Sequence, residues 1–226
     1  MSRQIKIAPS LLAADAAILA QEVERVEKAG AEWLHLDIMD GHFVPNLSFS
    51  AHIVKALRAH SKMYFDVHLM ITDPKKYIDD FIDAGADIIT VHAEIADTDE
   101  LRRIAEYLHS KGVKAGVSVK PKTPVESIEG VLDVYDMVLI MTVEPGFGGQ
   151  SYMADMESKI RWAAEMADTR YPQLEVEVDG GVGVSTVAHA AGSGANILVA
   201  GSAVFGAEDA AEAVVKLRSI AQNEVK

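Results

Sequence analysis

His35, Asp37, His68 and Asp179 are the residues of this chain whose types and settings best suit a shared chemical task. Each sits in a short apolar segment, and side chains alternate across a strand. In Leu34-His35-Leu36-Asp37-Ile38-Met39 the two leucines and Ile38 share one face, leaving His35, Asp37 and Met39 on the other. The same arithmetic sets Asp66, His68 and Met70 against Phe65, Val67 and Leu69, and Glu177 and Asp179 against Val176 and Val178. Any one of these polar residues alone reads better as a hydrogen-bonded or solvated residue at a strand end. Together they are harder to place, because burying several unpaired ionisable groups is costly. A divalent cation removes that cost. Two imidazoles and two carboxylates suit Zn(II), Fe(II), Mn(II) or Co(II), and ligand type alone does not choose among them. The chain has no cysteine, so thiolate sites and disulfides are excluded.

Glycine-rich segments add a second capability. Glu144-Pro145-Gly146-Phe147-Gly148-Gly149-Gln150, Asp179-Gly180-Gly181-Val182-Gly183 and Ala200-Gly201-Ser202-Ala203 each follow a strand candidate. Singly, each reads as an ordinary tight turn. In combination their backbone amides can approach an anion closely, and barrels commonly hold phosphate after their last two strands. Met39, Met70 and Met141 also fall at inward strand ends. Core filling is the usual role for Met there; beside the proposed ligands they could equally form a water-excluding wall.

These groups converge only if the backbone brings several strands to one mouth. Apolar runs too short for helices begin near Ile5, Trp33, Tyr64, Ile88, Val113, Met137, Leu174 and Asn196. Helix-like stretches lie between them, among them 15–28, 74–84, 98–110, 155–168 and 207–221. Strands alternating with helices imply parallel βαβ units, and eight such units predict a single (βα)8 TIM barrel over 1–226. An open doubly wound sheet is the competing arrangement, but the usual dinucleotide fingerprint after the first strand is absent. Ala29-Gly30-Ala31, Ala84-Gly85-Ala86 and Ser193-Gly194-Ala195 recur between helix ends and strands, where glycine fits a left-handed helix C-cap. In a barrel the inward polar residues would meet at the C-terminal rim, where barrel active sites form.

The length suits one domain, and 49% hydrophobic with 24% charged residues is ordinary for a soluble globular protein. With 34 acidic against 21 basic residues the net charge is −13, which argues against nucleic acid or an anionic membrane as a partner. An anionic substrate would then have to be held by backbone dipoles. The first residues lack an apolar signal core and no run approaches a membrane span, so the expected location is cytoplasmic.

The motifs Ala8-Pro9-Ser10-Leu11-Leu12, Leu36-Asp37-Ile38-Met39-Asp40-Gly41-His42-Phe43-Val44-Pro45-Asn46, Asp66-Val67-His68-Leu69-Met70, Met141-Thr142-Val143-Glu144-Pro145-Gly146-Phe147-Gly148-Gly149-Gln150, Val178-Asp179-Gly180-Gly181 and Gly201-Ser202-Ala203 closely resemble those of the ribulose-phosphate 3-epimerase family. The resemblance runs in order through nearly the whole chain. It implies an isomerase of the pentose phosphate pathway that interconverts D-ribulose 5-phosphate and D-xylulose 5-phosphate with one divalent metal ion, Zn2+ or Fe2+ ahead of Mn2+ or Co2+. Carried to matching positions, it makes His35, Asp37, His68 and Asp179 the metal ligands and Asp37 and Asp179 the proton acceptor and donor. Ser10 and His68 would contact the sugar. Gly146, Phe147, Gly148, Gly149, Gly180, Gly181, Gly201 and Ser202 would contact substrate or phosphate, and Met39, Met70 and Met141 would wall the site. The resemblance also implies a homo-oligomer, a dimer or a hexamer.

Inverting a carbon beside a carbonyl fits that assignment. It needs a proton removed from one face and another returned to the opposite face, through an enediolate. Two alternatives compete. A D-allulose 6-phosphate 3-epimerase would use the same catalytic residues, so only substrate contacts would separate it. A Schiff-base lyase or aldolase needs a desolvated lysine on an inward strand position, and neither Lys114 nor Lys120 sits in a catalytic constellation.

Overall fold

The computed structural model describes residues 3–225, so Met1, Ser2 and Lys226 lie outside the described residues. Eight strands form where the apolar runs place them: β1 Lys6–Pro9, β2 Trp33–Met39, β3 Tyr64–Met70, β4 Ile88–His92, β5 Lys114–Val119, β6 Met137–Met141, β7 Glu175–Asp179 and β8 Ile197–Ala200. Their order round the sheet is β1-β8-β7-β6-β5-β4-β3-β2, and every paired neighbour is parallel. A parallel bridge between Ser10 and His35 joins the two ends, β1 and β2. The sheet therefore wraps on itself as a (βα)8 barrel rather than staying open.

The helices are α1 Leu19–Lys28, α2 Ala51–Arg58, α3 Ile78–Asp83, α4 Thr98–Ser110, α5 Glu157–Thr169, α6 Val187–Gly192, α7 Ser202–Phe205 and α8 Ala210–Glu224. Helix α4 matches its sequence pattern because Asp97 caps it, accepting a hydrogen bond from the Glu100 amide at 2.9 Å. Other ends shift where side chains compete for the backbone. The stretch beginning at Asp15 becomes helical only at Leu19, since the Asp15 carboxylate takes the Ala17 amide into a local turn. The last helix starts at Ala210 rather than 207, because Asp209 accepts from the amides of Ala211 and Glu212. The 74–84 stretch divides into a 3-10 turn, Pro74–Lys76, and α3. The connection after β5 is a 3-10 segment, Val125–Val134. Gly30, Gly85 and Gly194 carry φ of 85°, 95° and 109°, the left-handed turns anticipated at helix ends.

Strand parity holds throughout. Leu34, Leu36, Ile38, Phe65, Val67, Leu69, Val176 and Val178 join the core between strands and helices. Burying each such side chain contributes about 1.5–3 kcal/mol. Inside the barrel, Trp33, Ile88, Met137 and Ile197 form an apolar floor, with the Trp33 and Tyr64 rings stacked at 4.3 Å. Above this floor the inward positions turn polar, and there the chemistry collects.

Candidate functional site

A cavity of about 290 Å³ opens at the C-terminal rim of the strands. Asp37 and Asp179 line it, with Ser10, the three methionines Met39, Met70 and Met141, and all three glycine-rich turns, including Gly146, Phe147, Gly148, Gly149, Gly180, Gly181, Gly201 and Ser202. His35 and His68 lie directly beneath, fully buried. All the residues singled out from the sequence are thus brought to one place. No lysine or arginine lines the cavity among the described residues.

Residues from three strands meet at its floor. The register pairs Asp37 of β2 with His68 of β3, while Asp179 comes from β7, with β1 and β8 intervening round the barrel. His35 Nε2 lies 3.4 Å from Asp37 Oδ1 and 3.9 Å from Asp179 Oδ2. His68 Nδ1 lies 3.5 Å and 4.0 Å from the same two oxygens. These four atoms all fall within 4.8 Å of one another. A tetrahedral ion with bonds of about 2.1 Å requires donor separations of roughly 3.4 Å, so the set fits a divalent cation after small adjustments. His35 Nε2 and His68 Nδ1 are also buried atoms with no hydrogen-bond partner. A cation would satisfy both.

The two carboxyls differ in environment. Burial pushes Asp37 up, but the closeness of the His35 and His68 rings outweighs it and, in the metal-free protein, holds Asp37 well below the usual carboxylate range. Ser10 Oγ donates a further hydrogen bond to Asp37 Oδ2 at 2.6 Å. Asp179 goes the other way: burial and then the Asp37 charge push it up to about 6. Two neighbouring acids with opposed protonation preferences suit opposite halves of a proton transfer.

The third layer of the site was only half legible in the sequence. Beneath His35, Asp66 Oδ2 accepts from Nδ1 at 2.5 Å, so that in the neutral ring the lone pair lies on Nε2, facing the cavity. Glu177 lies 3.6 Å from the same nitrogen. Burial, and then the Asp66 charge, raise the Glu177 carboxyl well above its ordinary value, which favours its neutral form. Asp66 and Glu177 were visible as inward-facing residues, but not as the support of His35. His92 and Glu94 were missed altogether. On β4, Ile88, Thr90 and His92 share the inward face, so parity could have found His92; Glu94 lies in the turn beyond the strand. Burial, only partly opposed by the Glu94 hydrogen bond, lowers His92 to about 4. For Glu94, burial is outweighed by hydrogen bonds from His92, Thr123 and the Lys120 amide, which bring it down to about 2.

The glycine turns owe their shape to crowding. At Gly181, φ is +66°, and an added Cβ would stand 2.4 Å from the Tyr152 nitrogen. At Gly180, φ is +125°, and a Cβ would stand 2.5 Å from the Val143 side chain. Only glycine permits this turn to press against the loop after β6.

A family model described as the ribulose-phosphate 3 epimerase family matches residues 6–205. The ribulose-phosphate 3-epimerase of Bacillus subtilis (strain 168) is 48% identical over 215 residues, which is 95% of this chain and 98% of that protein. The cytoplasmic isoform of ribulose-phosphate 3-epimerase from Oryza sativa subsp. japonica is 46% identical over 216 residues, covering 94% and 92%. Among solved structures, KGPDC from Streptococcus mutans superposes with a TM-score of 0.69 at 14% identity, covering 98% of this chain and 99% of the other. A 3-hexulose-6-phosphate synthase gives 0.64 at 19% identity, covering 96% and 99%. At those identities the two structures share the fold alone. No helix among the described residues is long and apolar enough to cross a membrane.

Proposed function

The chain belongs to the ribulose-phosphate 3-epimerase family and is an isomerase, and on that premise we propose that it interconverts D-ribulose 5-phosphate and D-xylulose 5-phosphate by two-base proton transfer at C3. The observation that carries the mechanism is the facing pair Asp37 and Asp179, with opposed protonation preferences, in the floor of one cavity. Asp37, kept ionised, removes the C3 proton from one face of the sugar. Asp179, held nearer its protonated form, returns a proton to the other face. In the reverse direction the roles exchange, since each carboxyl ends the reaction in the state the other began. Ser10, donating to Asp37 Oδ2, fixes which carboxylate lone pair is free for the transfer.

His35 Nε2, His68 Nδ1 and one oxygen each of Asp37 and Asp179 would hold a divalent cation. When bound, that cation supplies Lewis-acid stabilisation of the negative charge developing on the substrate's two oxygens in the enediolate. As ligands of a cation the imidazoles would be neutral and add no charge, and Met39, Met70 and Met141 exclude water beside the reacting carbon. Amides of the turns at Gly146, Gly148, Gly149, Gly180, Gly181, Gly201 and Ser202 cradle the phosphate. An acidic protein with no cationic side chain lining this cavity among the described residues needs such a cradle.

The test is a side-by-side epimerisation assay on D-ribulose 5-phosphate and D-allulose 6-phosphate, before and after chelation and with Zn2+ or Fe2+ restored. Preference for the pentulose, lost on chelation and regained with metal, is expected. Faster turnover of the hexulose would reassign the substrate, and full activity in a rigorously metal-free preparation would remove the cation from the mechanism.

A further inference from the structure

His68 offers Nδ1 to the cavity only if its proton resides on Nε2, although the Asp37 carboxylate 3.5 Å from Nδ1 draws a proton the other way. Its Nε2 lies 2.9 Å from Nε2 of His92 in β4, both rings being buried. One proton must lie between these two nitrogens, and it can belong to either ring. The decision is made one residue further out. His92 Nδ1 faces Glu94 Oε2 at 3.1 Å. The other oxygen, Glu94 Oε1, accepts from the Lys120 amide at 2.8 Å and from the Thr123 hydroxyl. Glu94 is therefore an acceptor on both sides, and a bare His92 Nδ1 would set lone pair against lone pair. His92 must carry its proton on Nδ1, which leaves its Nε2 bare. His68 must then donate from Nε2, which in the neutral ring frees Nδ1.

We infer that Glu94 is a positioning residue that selects the tautomer of His68 through His92, and so presents the Nδ1 lone pair at the site. The Glu94–His92–His68 chain does for one imidazole what the single Asp66 contact does for the other. Outer partners of this kind are a general means of fixing a ligand histidine. This inference rests on reading His68 as a metal ligand only for its consequence; the tautomer itself is a property of the protein without metal. The relay also ties the site to the loop after β5. Lys159 Nζ holds that loop through the carbonyl oxygens of Pro121 at 2.7 Å and Thr123 at 2.5 Å.

Glu94→Gln makes a specific reversal. The Lys120 amide can only donate, so the Gln oxygen must face it, which turns the NH2 group toward His92 Nδ1. His92 then carries its proton on Nε2 and donates to His68, whose proton is driven onto Nδ1, where a metal would bind. The experiment is 15N NMR of imidazole-labelled, metal-free full-length protein, with Thr123→Val as a control that loosens the loop without altering the relay. Zn2+ affinity is then measured by chelator competition. Wild type and Thr123→Val should show protonated His92 Nδ1 and bare His68 Nδ1, and Glu94→Gln should show both reversed. Zn2+ binding should weaken by about tenfold or more in Glu94→Gln, and far less in the control. Unchanged tautomers in Glu94→Gln, or a wild type already carrying its proton on His68 Nδ1, would overturn the relay. A wild type with correct tautomers and no Zn2+ affinity would instead remove the metal reading of the site while leaving the relay standing.

Discussion

Asp179→Asn should separate what the site costs in stability from what it contributes to turnover. In the metal-free protein, burial and the facing Asp37 carboxylate lift Asp179 from an ordinary 3.8 to about 6. A carboxyl with a raised folded pKa binds its proton more tightly folded than unfolded. Its contribution is therefore full below the unfolded value and is lost as pH rises through about 6. At 1.36 kcal/mol per pH unit the loss is on the order of 3 kcal/mol. The 16% of the side chain that meets solvent screens part of it, leaving about 2 kcal/mol. Asn keeps the shape and cannot titrate. In urea unfolding of metal-free proteins, the variant should gain about 1.3 kcal/mol on wild type between pH 4.5 and 7.5, the rest of the loss falling below pH 4.5. Zn2+ should then reverse the order. At a hundred times its Kd, a ligand bound only by the folded state adds about 2.7 kcal/mol to wild type, while the variant has lost an anionic donor and gains less. Turnover of the variant should be abolished at both pH values. A stability difference that does not change with pH, or a variant less stable than wild type at pH 7.5, would refute the reasoning.

Asp37→Asn should keep the circular dichroism of the native fold and lower kcat by about 10²–10⁴. The deuterium it still incorporates from solvent should enter only one of the two epimers, because one face retains its acid; turnover within tenfold of wild type would remove the two-base scheme. Gly181→Ala should raise KM for the phosphorylated substrate, since a Cβ 2.4 Å from the Tyr152 nitrogen displaces the turn. Left-handed strain of about 1–2 kcal/mol should lower Tm by roughly 2–8 °C. An unchanged KM would argue against this turn as part of the phosphate cradle.

Parity along three strands was enough to place His35, Asp37, His68 and Asp179 on inward faces, and glycine spacing marked the turns beside them. Both are local properties: the first follows from the two-residue period of a strand, the second from backbone conformations that only glycine adopts readily. The helix boundaries were less legible. Whether Asp15 or Asp209 opens a helix or closes a turn depends on which amide its carboxylate captures.

What only the tertiary structure decided is how those inward residues meet. The register that sets Asp37 beside His68, the Ser10–His35 bridge that closes the barrel, and the 2.6 Å bond from Ser10 to Asp37 join residues from different strands. No periodicity within one strand encodes its stagger against another. The same holds for the supports of the two histidines. Asp66 comes from the strand adjoining His35, while His92 and Glu94 reach His68 from β4 and the turn beyond it. The sequence thus determined which side chains face the cavity. Packing eight strands round a closed barrel determined which of their nitrogens and oxygens carry the protons, because that depends on contacts between segments far apart in the chain.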